Sequence, residues 1–91
     1  MASWKITLKN NTVVTREEAS VRDFVGVAEL LSADWRNVDP TIGPRELVAW
    51  MAVLEVNHGD GENFMIEMEK IMNESMVDLI GRIEIASENA V

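Results

Sequence analysis

A run of eight consecutive apolar residues, Leu47 to Leu54, most constrains how this chain can fold. The run lies between Pro44, a residue suited to the first turn of a helix, and the Gly59-Asp60-Gly61 turn. We therefore predict a helix over 44–57 that is apolar on most of its circumference. Because eight residues fall far short of the roughly 20 that cross a membrane, this helix is expected at the centre of a globular core.

The residues at the start of the chain predict a β-hairpin. Residues 3–15 alternate between apolar and polar types and contain Asn10-Asn11, a pair that tolerates the backbone angles of a tight turn. The apolar side of this hairpin consists of Trp4, Ile6 and Leu8. An isolated hairpin is marginal in water, so we expect this side to pack on the central helix.

A first helix is predicted over 16–32. Two capping boxes could begin it, one from Thr15 to Glu18 and the other from Ser20 to Asp23. Apolar residues three and four positions apart form a single stripe along it. These residues are Val21, Phe24, Val25, Ala28 and Leu31.

A third helix is predicted over 62–80 and ends at Gly81. Ser75 and Asp78 could interrupt it by capping a new turn. Residues 82–86 alternate, which fits either a short strand beside the hairpin or a longer helix. The prediction is a single domain over 1–91 of the α+β class, mainly helical, with an N-terminal hairpin, about three helices and room for a short C-terminal strand.

Composition and charge narrow the function classes. The net charge of −8 disfavours a nucleic-acid binder, which needs a basic face. The chain has no cysteine, one histidine and no tyrosine, so thiolate metal sites and thiol nucleophiles are excluded and general acid–base catalysis has few candidates. No phosphate-binding glycine loop or nucleophile elbow occurs. We expect no enzyme activity, no cofactor and, in the absence of a signal or spanning segment, a cytoplasmic location.

Two short patterns raise the question of metal binding. Glu55 and His58 have the E-x-x-H spacing of di-iron bundles, although one histidine per chain could complete such a site only in a symmetric dimer. The simpler interpretation is a histidine in the last turn of a helix that ends at Gly59. A calcium loop beginning at Asp60 fails because its required glycine position is occupied by Met65. We predict no metal site.

The most distinctive feature is a stripe of methionines in the third predicted helix. Met65, Met68, Met72 and Met76 fall within an arc of about 80°. The stripe is either a core-facing surface or an adaptable groove for a partner segment, because methionine repacks around varied shapes. Trp35, beside an arginine in a polar connection, is either an interface anchor or a cover for the edge of the core. These five residues form the candidate partner-binding set.

The far side of that helix is expected to face water and carries Glu67, Lys70, Glu74 and Asp78. Charge is also uneven along the chain. Residues 1–54 carry seven acids and six bases, whereas residues 55–91 carry nine acids and two bases, a net −7. Such an acidic half could imitate nucleic acid against a basic groove. An acidic inhibitor of a host protein, of the kind that phages use against host defences, is therefore an alternative function.

The organisation of the chain resembles the tail assembly chaperones of long-tailed bacteriophages. The resemblance lies in the Lys5–Leu8 hairpin strand, the passage from Val13 to Glu18 that leads into a helix, and the residues from Asp39 to Arg45 before a strongly apolar second helix. It implies a non-enzymatic assembly factor that self-associates in the host cytoplasm. It also implies binding of apolar helices of a long tape-measure-like protein, with no direct contact to nucleic acid or membrane.

Overall fold

The computed structural model describes residues 2–87. In chain order its elements are β1 (Ala2–Thr7), β2 (Val13–Thr15), α1 (Val21–Leu31), a 3-10 turn (Trp35–Asn37), α2 (Pro44–His58), α3 (Phe64–Met72), α4 (Met76–Ile80) and β3 (Ile83–Ser87). The strands form one antiparallel sheet in the order β2-β1-β3. The predicted α+β class, rich in helix with the hairpin strands first, is confirmed. The short C-terminal strand is confirmed as well and pairs with β1.

Helix α2 lies at the centre of the core, as its apolar circumference predicts. All nine residues from Leu47 to Glu55 are buried. Trp50 contacts Trp4 of β1 edge-on at 5.2 Å between ring centroids and Phe24 of α1 at 4.8 Å. Its indole N–H donates to the carbonyl of Val38, in the connection that precedes α2. One side chain therefore joins the sheet, α1 and this connection, and the predicted packing of the hairpin on α2 is confirmed.

Helix α1 begins five residues later than predicted. Ser20 caps it, with the reciprocal bonds of a capping box to Asp23. The earlier candidate box forms only in part: Glu18 Oε1 accepts hydrogen bonds from the N–H and hydroxyl of Thr15, each at 2.9 Å, but the Glu18 N–H donates to the Thr15 carbonyl and not to its hydroxyl. It closes only a turn, since Thr15 stays paired with Lys5 in the sheet and the chain has not yet turned toward the helix.

The predicted third helix is two helices. Ser75 caps α4 by accepting from the N–H of Asp78 at 3.2 Å, so the interruption that the sequence allowed is present. Helix α3 begins at Phe64 because Asn63 caps it, accepting from the N–H of Ile66 at 2.9 Å. A continuous helix over 62–80 is therefore wrong.

Candidate binding surface

A buried carboxylate fastens the start of α1 to the end of α2. Asp23 is fully buried and accepts hydrogen bonds from the Ser20 N–H and the Asn57 side chain, each at 2.8 Å. His58 Nε2 lies 2.8 Å from the same carboxylate. Burial raises the pKa of Asp23, but the hydrogen bonds from Asn57, Ser20 and His58 outweigh it, and the pKa lies below the usual value. The carboxylate is thus ionised, and its surroundings hold it as a structural clamp.

A second buried carboxylate ties the opposite side of α2 to the sheet. Glu55 Oε2 accepts from the backbone N–H of Lys9 at 2.9 Å and from Arg82 Nη2 at 3.0 Å. Arg82 also bonds both carboxylate oxygens of Glu74 at 2.7 Å. Glu55 and His58 consequently have different partners. Across residues 2–87, no group of three or more histidine, aspartate or glutamate side chains is arranged to hold a metal ion.

The methionine stripe lies largely on the surface. Met65, Met72 and Met76 are 69%, 68% and 49% exposed, and Met68 is half-buried. Helix α3 contacts α2, and its fully buried apolar side chain is Ile71. The structure thus supports the surface interpretation of the stripe for three of its four residues.

The expectation that Glu67 faces water is wrong. Its side chain is buried, and its carboxylate accepts from the N–H of Glu62 at 3.3 Å and lies 3.5 Å from Lys70 Nζ. Glu67 lies one turn before the buried Ile71, so the two share one side of α3. The buried side of α3 is therefore offset by about one residue from the stripe that periodicity singles out.

The four methionines line two adjoining grooves. One groove, of about 470 Å³, is bounded by Met65, Met68 and Met72 together with polar residues of α3. The other, of about 360 Å³, lies between α2, α3 and α4 and is lined by Met68, Met72 and Met76 with Val48 among its floor residues. Met68 and Met72 belong to both grooves, so the two are continuous. We call Met65, Met68, Met72 and Met76 the methionine surface.

Trp35 belongs to a different groove. It is 62% exposed in the 3-10 turn, where Asp34 accepts hydrogen bonds from the side chain and backbone of Arg36 that lower the pKa of Asp34 to about 2. The groove that Trp35 lines has a volume of about 620 Å³. Along α1, it is lined by Val21, Phe24, Val25 and Ala28. It shares no lining residue with the methionine grooves, so the five predicted site residues fall into two separate surfaces.

Sequence reasoning missed this second groove. The apolar residues of α1 form one stripe in the sequence, but Val21 is 80% exposed and Val25 is 48% exposed. The buried side of α1 carries Gly26 and Val27, which lie outside that stripe, together with Leu31, which belongs to it. A methyl group on Gly26 would lie 3.3 Å from the Val53 side chain, so glycine allows α1 to approach α2 closely.

Comparison of the chain with protein families, curated proteins and solved structures finds no match. In the span from Ala2 to Ser87, none of the helices combines the length and apolarity needed to cross a bilayer. Function is therefore inferred from the surfaces and internal bonds described above.

Proposed function

We propose that this chain is a non-enzymatic assembly factor that self-associates and binds apolar helical segments, as the resemblance to phage tail assembly chaperones implies. The observation that carries the proposal is the exposure of the methionine surface. Met65 and Met72 are each more than two-thirds exposed, although the core around α2 is filled without them. Contiguous exposed apolar surface of this kind is typical of interaction sites rather than of monomer surfaces.

The chemistry of the surface favours a helical partner with an apolar face. Methionine side chains are unbranched and polarizable, so they adapt to different apolar shapes. The continuous grooves offer places for successive side chains of a partner helix, spaced three and four residues apart. Glu69 is exposed at one of the grooves, which favours a basic residue beside the apolar face of that partner. A long helical protein of the tape-measure kind has the length to be coated by several such subunits.

The buried carboxylates support a role without catalysis. In the part of the chain from Ala2 to Ser87, the buried acids Asp23, Glu55 and Glu67 each bond to internal partners, so none of them is free to act on a substrate. Burial of Glu55 and Glu67 also removes two of the nine acids of residues 55–91 from any array that could imitate phosphates. This supports binding through apolar contact over the alternative, an acidic mimic of nucleic acid.

The test is binding of a synthetic helical peptide that carries leucines on one face and lysines on the other. The variant Met65→Glu/Met72→Glu should remain folded by circular dichroism and should bind at least about tenfold more weakly, because burial of one methionine contributes more than the 1.4 kcal/mol that a tenfold change represents. The charge-matched control Ile42→Glu/Val77→Glu changes two exposed residues outside both grooves and should bind as the parent does.

Equal binding by the methionine variant and the parent would contradict the proposal. Salt dependence separates the alternative function, because apolar contacts persist as ionic strength rises whereas contacts between exposed charges are screened. The peptide complex should keep most of its affinity in high salt. A steep loss of affinity, with no effect of the methionine substitutions, would favour the acidic mimic.

A further inference from the structure

The three-stranded sheet leaves the backbone of β3 available along its outer edge. The N–H of Thr7 donates to the carbonyl of Arg82 at 2.8 Å. In an antiparallel pair, backbone groups of successive residues point alternately toward the neighbouring strand and away from it. Every second residue from Arg82 therefore bonds to β1. The residues between them, Ile83, Ile85 and Ser87, direct their N–H and C=O groups away from the sheet.

The opposite edge of the sheet is closed by its own turn. Strand β2 has only three residues, and the N–H of Thr15 donates to the Glu18 side chain at 2.9 Å. The carbonyl of Thr15 accepts from the N–H groups of Glu18 and Ala19 at 3.0 Å and 3.1 Å. Within residues 2–87, no such turn covers the outer edge of β3. The two edges therefore differ in their capacity to pair with another strand.

The side chains of β3 also favour pairing. Ile85 lies opposite Trp4 on the core-facing side of the sheet, yet Ile85 is 57% exposed whereas Trp4 is buried. The helices thus cover β1 and leave the core-facing side of β3 partly uncovered. Strand β3 contains no proline, lysine or bulge, the devices that usually block pairing at an edge. Its one charge, Glu84, lies opposite Lys5 on the other side of the sheet.

We infer that β3 pairs with β3 of a second copy of this chain, antiparallel and across a two-fold axis at Ile85. Ile85 is the central residue of the five-residue strand, so it would exchange two hydrogen bonds with the partner's Ile85. Ile83 would pair with Ser87 of the partner subunit, and the two-fold repeats that pair. The result is a six-stranded sheet held by about six new hydrogen bonds.

This register is self-complementary in charge and in apolar contact. It places Glu84 opposite the partner's Ala86, so the two glutamates do not oppose each other. It also brings the two exposed Ile85 side chains together on the core-facing side. The inference specifies the self-association that the proposed function includes, and it uses none of the residues of the methionine surface.

The test compares Ile85→Lys with Ile42→Lys, because Ile42 is also 57% exposed but lies outside the sheet. By size-exclusion chromatography with light scattering, the parent and Ile42→Lys should have twice the mass of one chain. Ile85→Lys should be folded and have the mass of one chain. A parent of single-chain mass at high concentration, or an Ile85→Lys variant that remains dimeric, would overturn the inference.

Amide hydrogen exchange of the unmodified protein gives a second measurement that requires no substitution. The Ile85 N–H should exchange at least about tenfold more slowly at concentrations that favour the dimer than after dilution. The Glu84 N–H, which faces β1, serves as the internal reference and should be protected at both concentrations. Exchange of Ile85 that is equally fast at both concentrations would overturn the inference even if Ile85→Lys fails to fold.

The two proposals fail separately. Ile85→Lys should bind the helical peptide as the parent does, and Met65→Glu/Met72→Glu should remain a dimer. If the parent is a monomer that binds the peptide, pairing through β3 is contradicted and the methionine surface is not. If the parent is a dimer whose Ile85 N–H exchanges as expected but that binds no apolar peptide, binding at the methionine surface is contradicted and pairing through β3 is not.

Discussion

Replacement of Asp23 by alanine should destabilise the fold more than removal of any exposed acid. Asp23 is fully buried and makes three contacts of 2.8 Å, to Ser20, Asn57 and His58. A hydrogen bond to a charged group contributes about 1.5–3 kcal/mol, and the contributions of one cluster do not add fully. Asp23→Ala removes all three contacts at once and leaves their donors without an acceptor, so we expect it to cost about 3–5 kcal/mol of the free energy of unfolding.

Urea unfolding followed by circular dichroism measures this loss at pH 7. The control is Asp34→Ala, which removes an exposed carboxylate bonded to Arg36 and should unfold close to the parent midpoint. An Asp23→Ala variant within about 1 kcal/mol of the parent would refute the reasoning, because that is the range of an ordinary single hydrogen bond. It would mean that α1 and α2 are held by packing alone.

The direction of the Asp23 pKa shift predicts how this contribution depends on pH. The folded-state pKa lies below the unfolded value of about 3.9, so the stabilisation is fully present above that value. It is lost as the pH falls through the lower, folded-state pKa. The difference in stability between the parent and Asp23→Ala should therefore narrow as the pH falls below about 4.

Two further substitutions test the core and the end of α2. Trp4→Ala should lower the free energy of unfolding in urea by about 3–5 kcal/mol, because Trp4 is buried against Trp50. A variant that unfolds at the same urea concentration as the parent would show that the hairpin is not part of the core. His58→Ala should lower the free energy of unfolding by about 1–2 kcal/mol, because it removes the contact between His58 and Asp23. The variant should have the same mass and metal content as the parent. Stoichiometric metal in the parent that is lost in this variant would contradict a purely structural role for His58.

The hairpin and the central helix could be predicted because each is encoded by a local pattern. Alternation over 3–15 is typical of strands, and Pro44 and Gly59 bound the apolar run from Leu47 to Leu54 as one buried helix. The start of α1 is harder to predict because the sequence contains two adjacent capping patterns, Thr15–Glu18 and Ser20–Asp23. Which of them begins the helix depends on the pairing of Thr15 with Lys5, a contact between strands that the capping pattern does not contain.

Surface exposure could not be predicted because it depends on which neighbours cover each helix and strand. Periodicity located the methionine stripe, but the buried side of α3 carries Glu67 and Ile71, about one residue away. Glu67 is expected to face water because it lies on the side of the helix away from the methionines. It is buried because Lys70 and the backbone N–H of Glu62, which lies outside the helix, contact its carboxylate. The alternation over 82–86 fits either a strand or a longer helix, and in the structure residues 83–87 pair with β1 as a strand. The 57% exposure of Ile85 depends on neighbours in the fold that this alternation does not contain.

Methionine methyl NMR tests the central claim, binding of apolar helices at the methionine surface, most directly. In a titration with the leucine–lysine helical peptide, the methyl signals of Met65, Met72 and Met76 should shift. The signal of Met51, which is fully buried in α2, serves as the internal reference and should stay in place. A titration that saturates while those three signals remain unchanged, with the Trp35 indole signal moving instead, would place binding in the α1 groove and contradict the account.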